Sequence, residues 1–173
     1  WDENSVIRRV NRNDSAVVLN KIFVDNFNYA MRAAELSDGY FDPTVGPLVS
    51  AWGFHFKEGM KMSPEIVDSI RSLVGYKKVR VEDGKVIKGN PNMTLDFNAV
   101  AQGYTADMIG DFLLSQNVDD FLVDIGGEIM VRGNKPNGKL WTVGIEKPAE
   151  DMNDERIVQE IVELKDKSIV TSG

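Results

Sequence analysis

The residue best placed to do chemistry is Asp96. It ends an apolar, strand-like run, Met93-Thr94-Leu95, and is followed by Phe97-Asn98-Ala99-Val100-Ala101-Gln102-Gly103-Tyr104, a turn leading into a helix-like pattern. A carboxylate at a strand end, beside the exposed backbone N–H groups of a helix start, makes a polar site on a rigid base. The same spacing also describes an N-cap aspartate before an ordinary helix. Two further stretches have a suitable composition. Gly39 to Phe54 sets two prolines and three glycines among aromatics. Such a loop suits either a ligand wall or a segment pinned to the core by its own rings. Asp124-Ile125-Gly126-Gly127-Glu128 follows a buried-type strand and leads into another strand. It reads first as a bulge or bend, and second as a close backbone approach to a ligand. Periodicity does not say whether these three stretches meet.

Most catalytic templates are excluded. The chain has no cysteine and one histidine, His55, so thiol nucleophiles, disulfides, zinc-thiolate sites and multi-histidine metal sites are all absent. A Ser/His/Asp triad would need His55, which sits in an aromatic stretch with no local partner signature. There is no phosphate loop and no glycine-rich dinucleotide fingerprint. Any metal would be hard and oxygen-ligated, magnesium or calcium in type. The 173 residues carry a net charge of −7, with 42% hydrophobic and 27% charged side chains. That is an ordinary globular composition with no basic field for nonspecific nucleic-acid binding. Local amides or a bound cation could still hold an anionic ligand.

The elements that must position these residues follow from pattern and punctuation. Residues 1 to 13 are polar and short-patterned, an extended or one-turn segment. Asp14 is the expected N-cap of a long helix from Ser15 to Leu36, with Leu19, Ile22, Phe23, Phe27, Ala30, Met31 and Ala34 on its core face and Gly39 as its left-handed cap. Gly39 to Phe54 is expected to be irregular. Ser63-Pro64-Glu65 starts a second helix that Gly75 ends. Lys77 to Glu82 and Lys85 to Lys88 form a hairpin about Asp83-Gly84. After the Asn90-Pro91-Asn92 loop, Met93 to Asp96 is a strand, and Tyr104 to Ser115 a helix ending at Gln116-Asn117. Strands are expected at Asp120 to Ile125, Glu128 to Arg132, Leu140 to Ile145 and Ile157 to Leu164, with a last one after Asp166-Lys167. Trp141, Val143 and Ile145 share one face of theirs. Residues 148 to 155 are acidic and expected to be mobile. Hairpins outnumber crossovers, so the fold class is α+β, a mainly antiparallel sheet flanked by helices.

At this point a resemblance is visible. Gly39-Tyr40-Phe41-Asp42-Pro43-Thr44-Val45-Gly46-Pro47-Leu48-Val49, Trp52-Gly53-Phe54, Leu95 to Tyr104, Val123 to Glu128, Trp141 to Ile145 and Thr171-Ser172-Gly173 occur in this order over nearly the whole chain. Together with the weaker opening Trp1 to Asn11, they resemble the ApbE family of FAD:protein FMN transferases. The resemblance implies a single ApbE-like domain over residues 1–173. It also implies an enzyme that uses Mg²⁺ to cleave FAD at its pyrophosphate and attach FMN to a Thr or Ser hydroxyl of a partner flavoprotein, commonly a subunit of a membrane redox complex. Some relatives instead hydrolyse FAD to FMN and AMP, so a binding or hydrolytic protein is the alternative.

By the same resemblance, Trp1 falls where the family places an aromatic against the flavin. Tyr40, Phe41 and Asp42 fall on a cofactor-contacting segment, and Asp96 matches a carboxylate of the FAD site. Gln102 falls where many members have Lys, which removes a positive charge near the cofactor. Ala99 matches a position whose backbone carbonyl faces the metal. The family continues past this Thr-Ser-Gly with an Arg, a His-containing motif, and the Asp and Thr that complete the metal site. The catalytic residues are therefore expected after Gly173, the domain is incomplete, and this span alone is expected to bind FAD weakly and transfer nothing. The structured look of Trp1 and of Ser168 to Gly173 likewise suggests a piece of a longer protein. Family habit implies a bacterial periplasmic location, or the outer face of the cytoplasmic membrane, with a lipid anchor before Trp1. No signal peptide, lipid-attachment cysteine or membrane span is visible in the chain itself.

Overall fold

The computed structural model describes residues 2–54, 60–148 and 157–171. Trp1, His55, Ser172 and Gly173, and nearly all of the stretch expected to be mobile, lie outside the described residues. The chain divides into two compact units, Trp1–Val100 and Ala101–Gly173.

The first unit opens with α1 (Val6–Asn11), a short helix where an extended or one-turn segment was expected. Helix α2 (Lys21–Leu36) begins six residues later than its pattern suggested. Its N-cap is Asn20, whose side chain accepts from the Phe23 N–H at 2.9 Å. Asp14 is committed elsewhere: it pairs with Arg9 at 2.7 Å and closes a turn onto the Ala16 N–H. Phe23, Phe27, Ala30 and Ala34 are buried as expected, but Ile22 is exposed and Leu19 precedes the helix; Phe23 packs against Phe97 with ring centroids 5.4 Å apart. The helix ends in a Schellman motif: Gly39 N–H reaches Ala34 O and Asp38 N–H reaches Glu35 O. Asp38 at φ 51° shares the left-handed turn that Gly39 alone was expected to make.

The Gly39 to Phe54 stretch is less irregular than expected. Pro47 sits in the first turn of α3 (Gly46–Ala51), where its missing N–H costs nothing. Helix α4 (Pro64–Arg71) starts at the foreseen Ser63 cap but stops before Gly75, which instead opens a 3₁₀ turn, Tyr76–Lys78. Strands β1 (Val79–Glu82) and β2 (Lys85–Lys88) pair antiparallel about Asp83-Gly84, both at positive φ. Residues 93–97 form no regular element and pair with no strand among the described residues, which corrects the Met93 to Asp96 expectation. Met93, Leu95 and Phe97 are nevertheless buried, so the alternation was read correctly and only the ladder is missing.

Helix α5 (Asn98–Ser115) starts six residues before the expected Tyr104, so Gly103 lies inside the helix and not in a turn before it. It ends as foreseen, with Asn117 at φ 61° and Val118 N–H on Leu113 O. The second unit holds β3 (Phe121–Ile125), β4 (Glu128–Arg132) and β7 (Lys167–Val170) in one antiparallel sheet, ordered β3-β4-β7. Strands β5 (Trp141–Glu146) and β6 (Val158–Leu164) form an antiparallel pair. Ala106, Leu113 and Leu114 of α5 pack on Phe121, Val123, Ile125 and Met130. A second cluster joins Val131, Val143 and Leu164 with Trp141 and Ile169. The fold is α+β with antiparallel sheets, as the hairpin pattern required.

Candidate functional site

Within the first unit, the two stretches singled out for their chemistry are brought together. The Asp96 N–H donates to Pro43 O at 2.7 Å. A Cβ built on Gly46 would lie 2.7 Å from Thr94 Oγ1, so the start of α3 rests directly on residue 94 and only glycine fits there.

The loop before α3 is held by its own polar side chains. Asp42 accepts from the Thr44 N–H at 2.8 Å and from the Thr44 hydroxyl with one oxygen. With the other it accepts from the Tyr76 N–H at 2.8 Å. Thr44 Oγ1 in turn accepts from the Gly75 N–H at 2.7 Å, and Thr44 is completely buried. Both oxygens of Asp42 are thus engaged in fixing the loop. Tyr40, two residues before Asp42, is 98% exposed. Phe41 is half-buried, and its N–H is held by Ser37 Oγ at 3.0 Å.

Asp96 precedes α5 and makes an Asx turn, accepting from the Asn98 N–H at 2.8 Å and from Asn98 Nδ2 at 3.3 Å. It therefore acts one residue ahead of an N-cap, and its carboxylate stands at the helix start, where the helix dipole favours negative charge. Ala99 lies in the first turn of α5 and is exposed. Helix geometry directs its carbonyl along the axis toward the fourth residue onward.

In the second unit Gln102 lies on α5, and its Nε2 makes a long contact of 3.4 Å with Ile125 O. Gly126 and Gly127 form a two-residue hairpin turn between Ile125 and Glu128, at φ 63° and 102°. This is a regular turn with two left-handed residues, not the bulge or bend that was expected. Asp124 Oδ1 accepts from the Gly127 N–H at 2.9 Å. A Cβ on Gly126 would meet Gln102 Nε2 at 2.8 Å, and one on Gly127 would meet Thr171 Oγ1 at 3.2 Å. Glu128 was not among the expected site residues. Its Oε2 is buried and has no hydrogen-bond partner among the described residues, which costs free energy unless a donor arrives. Only its place after a paired glycine turn could have flagged it.

Among the described residues, no group of three His, Cys, Asp or Glu side chains could hold a metal ion. Trp1, the expected aromatic against the flavin, lies outside the described residues. The first unit offers an exposed aromatic and a carboxylate at a helix start, suited to a flat ring and to hydroxyl or ring N–H donors. The second offers a glycine hairpin followed by a buried carboxylate oxygen.

Comparison with known proteins gives the same direction. A FAD:protein FMN transferase of Vibrio cholerae is 37% identical over 150 residues, 83% of this chain and 43% of that protein. One from Haemophilus influenzae is 28% identical across the whole chain, covering 52% of that protein. Among solved structures, the flavin transferase ApbE from Vibrio cholerae matches the whole chain with a TM-score of 0.86 at 30% identity, over 56% of its own length. The apbe protein of Thermotoga maritima matches as well, again with a TM-score of 0.86, 30% identity and 56% coverage. The chain thus spans about half the length of the relatives it matches. The ApbE family itself matches residues 1–173 without a break, and on that ground the chain belongs to the ApbE family.

Proposed function

We propose that the protein containing this chain is a FAD:protein FMN transferase, and that residues 1–173 supply much of the wall of its flavin-nucleotide site. The observation that carries the reading is the Tyr40 to Thr44 loop. An aromatic residue almost fully exposed to water stands there beside a loop fixed by half-buried Asp42 and buried Thr44, an arrangement that makes sense if the ring stacks on something flat. The family match supports it, since the curated relatives are named for that reaction. Because the match runs through both compact units, we read them as parts of one ApbE-like domain that is completed outside this chain.

In this reading Tyr40 and Phe41 face the flavin nucleotide together with Trp1, and Asp42 shapes the segment that carries them. Asp96 is acceptor-only, so it takes hydroxyl or ring N–H donors of FAD and not its phosphates. Gln102 offers a neutral amide where a lysine would bring charge. The acceptor's hydroxyl oxygen forms a bond to the flavin-side phosphorus, the bond from that phosphorus to the bridging oxygen breaks so that AMP leaves with that oxygen, and the hydroxyl proton passes to water. Mg²⁺ would offset charge on the phosphates. The described residues do not make up a complete ion site, and the Ala99 carbonyl is the one expected contact among them. The acceptor is read as a flavoprotein of a membrane redox complex. The location is read as the periplasm or the outer face of the cytoplasmic membrane, with a lipid anchor outside this chain. No described helix is long and apolar enough to cross a membrane.

Product analysis tests the proposal. Full-length protein is incubated with FAD and Mg²⁺, with and without acceptor, and nucleotides are separated. Transfer gives AMP only with acceptor present and no free FMN. Equal AMP and FMN without acceptor would replace transfer by hydrolysis, and unchanged FAD would overturn both.

A further inference from the structure

Residues 93–97 pair with no strand among the described residues, yet Leu95 is buried, so its backbone N–H and C=O cannot turn to water. Both are satisfied by one side chain 84 positions away. Asn11 Nδ2 donates to Leu95 O at 2.9 Å, and Asn11 Oδ1 accepts from Leu95 N–H at 2.8 Å. A carboxamide carries a donor and an acceptor in one plane, so it replaces a neighbouring strand at a single residue. The Leu95 carbonyl and the Asp96 N–H belong to the same planar peptide unit. Asn11 holds the oxygen of that unit and Pro43 O holds its N–H at 2.7 Å. The unit is clamped at both ends immediately before the Asp96 side chain branches off.

Asn11 is itself anchored. It ends α1, and its own carbonyl accepts from Lys88 Nζ at 3.3 Å. The same ammonium reaches Val10 O at 3.4 Å, Pro91 O at 3.1 Å and Met93 O at 2.9 Å. A cation at a helix C-terminus is favourable there, and this one ties the end of α1 to the segment that Asn11 braces.

We infer that Asn11 is a positioning residue for the flavin-nucleotide site: by holding both backbone groups of Leu95, its carboxamide fixes where Asp96 presents its carboxylate. The inference rests on the reading of Asp96 as a flavin-nucleotide contact. Its distinguishing consequence is coupling. A residue that acts through Asp96 matters for FAD affinity only while Asp96 is there, whereas a residue that merely supports the fold weakens binding either way.

The test is a double-mutant cycle on the full-length protein, reading FAD affinity by fluorescence quenching and folding by thermal melting. Asn11→Ala should weaken FAD binding about tenfold, the low end of what outer partners of binding side chains contribute. Asp96→Ala should weaken it at least as much. The double variant should bind within about twofold of Asp96→Ala alone, while keeping the full melting-temperature loss of Asn11→Ala. A double variant weaker by the product of the two single effects would overturn the inference and leave the Asp96 reading standing. So would wild-type affinity in Asn11→Ala. Wild-type affinity in Asp96→Ala would overturn both. If Asn11→Ala does not fold, Asn11→Asp enters the same cycle. It keeps the acceptor for the Leu95 N–H and removes the donor to the Leu95 carbonyl, so the same outcomes decide.

Discussion

Replacing Thr44 by valine removes one hydroxyl and almost no volume, from a residue with no exposed surface. That hydroxyl has two duties: it accepts from the Gly75 N–H at 2.7 Å and donates to the carboxylate of Asp42. The first loss leaves a half-buried amide without a partner, which costs about 1–3 kcal/mol. The second removes a hydrogen bond to a charged acceptor, a class that contributes about 1.5–3 kcal/mol. Asp42 still accepts from the N–H groups of Thr44 and Tyr76, so the sum is partly cushioned, and about 3 kcal/mol is expected. For a domain of this size that lowers the melting temperature by roughly 10 °C. Thr44→Ser keeps both hydrogen bonds and loses one buried methyl group, about 1 kcal/mol. The assay is urea and thermal unfolding of wild type, Thr44→Val and Thr44→Ser, with FAD titration of each. Thr44→Val should also weaken FAD binding, because the loop that presents Tyr40 loses its tie to Gly75. A stability for Thr44→Val within about 0.5 kcal/mol of Thr44→Ser would refute the claim that this network, and not simple packing, holds the loop.

Further outcomes follow from other sites. Gly126→Ala should cost about 1–2 kcal/mol for an L-residue held at φ 63°, plus a steric part from Gln102 that Gln102→Ala relieves, both read by urea unfolding. Asp107 is exposed, yet partial desolvation first, and then the charge of Asp111 one turn on, push its carboxyl above the ordinary carboxylate range. The folded state therefore binds that proton more tightly than the unfolded one. This group's share of stability falls as pH rises from the ordinary carboxylate value through the raised one, and the penalty persists above it. Asp107→Asn should remove that slope and stabilise at neutral pH by about 0.2–0.5 kcal/mol, the scale of a like-charge pair one turn apart, measured by unfolding across pH. Residues 1–173 alone should bind FAD weakly and flavinylate nothing; covalent flavin on an acceptor treated with this span would contradict that.

The elements that announced themselves were those whose signals are local. Ser63-Pro64 capped its helix, Asp83-Gly84 turned its hairpin and Asn117 closed α5, because each acts on backbone groups within a few residues. The start of α2 was misplaced because a good capping residue, Asp14, was spent on Arg9, and nothing in the pattern records that choice. Residues 93–97 alternate like a strand because one face is buried. The missing ladder depends on Asn11, far away in the chain, and such a pairing leaves no periodic trace. The candidate site shows the same division. The three stretches were legible as compositions, and Asp96 as a carboxylate before a helix. That Asp42 and Thr44 work inward depends on Gly75 and Tyr76, more than thirty residues on. Glu128 was passed over because its orphaned oxygen is a property of burial, not of spacing.

Whether the full-length protein is a flavin transferase is decided by the intact mass of an acceptor flavoprotein after incubation with that protein, FAD and Mg²⁺. The expected result is one FMN added at a Thr or Ser, lost when that hydroxyl is replaced by alanine, and strongly reduced when the enzyme carries Asp96→Ala. An acceptor of unchanged mass while FAD is consumed to FMN and AMP would contradict transfer. Undiminished flavinylation by the Asp96→Ala enzyme would contradict the site.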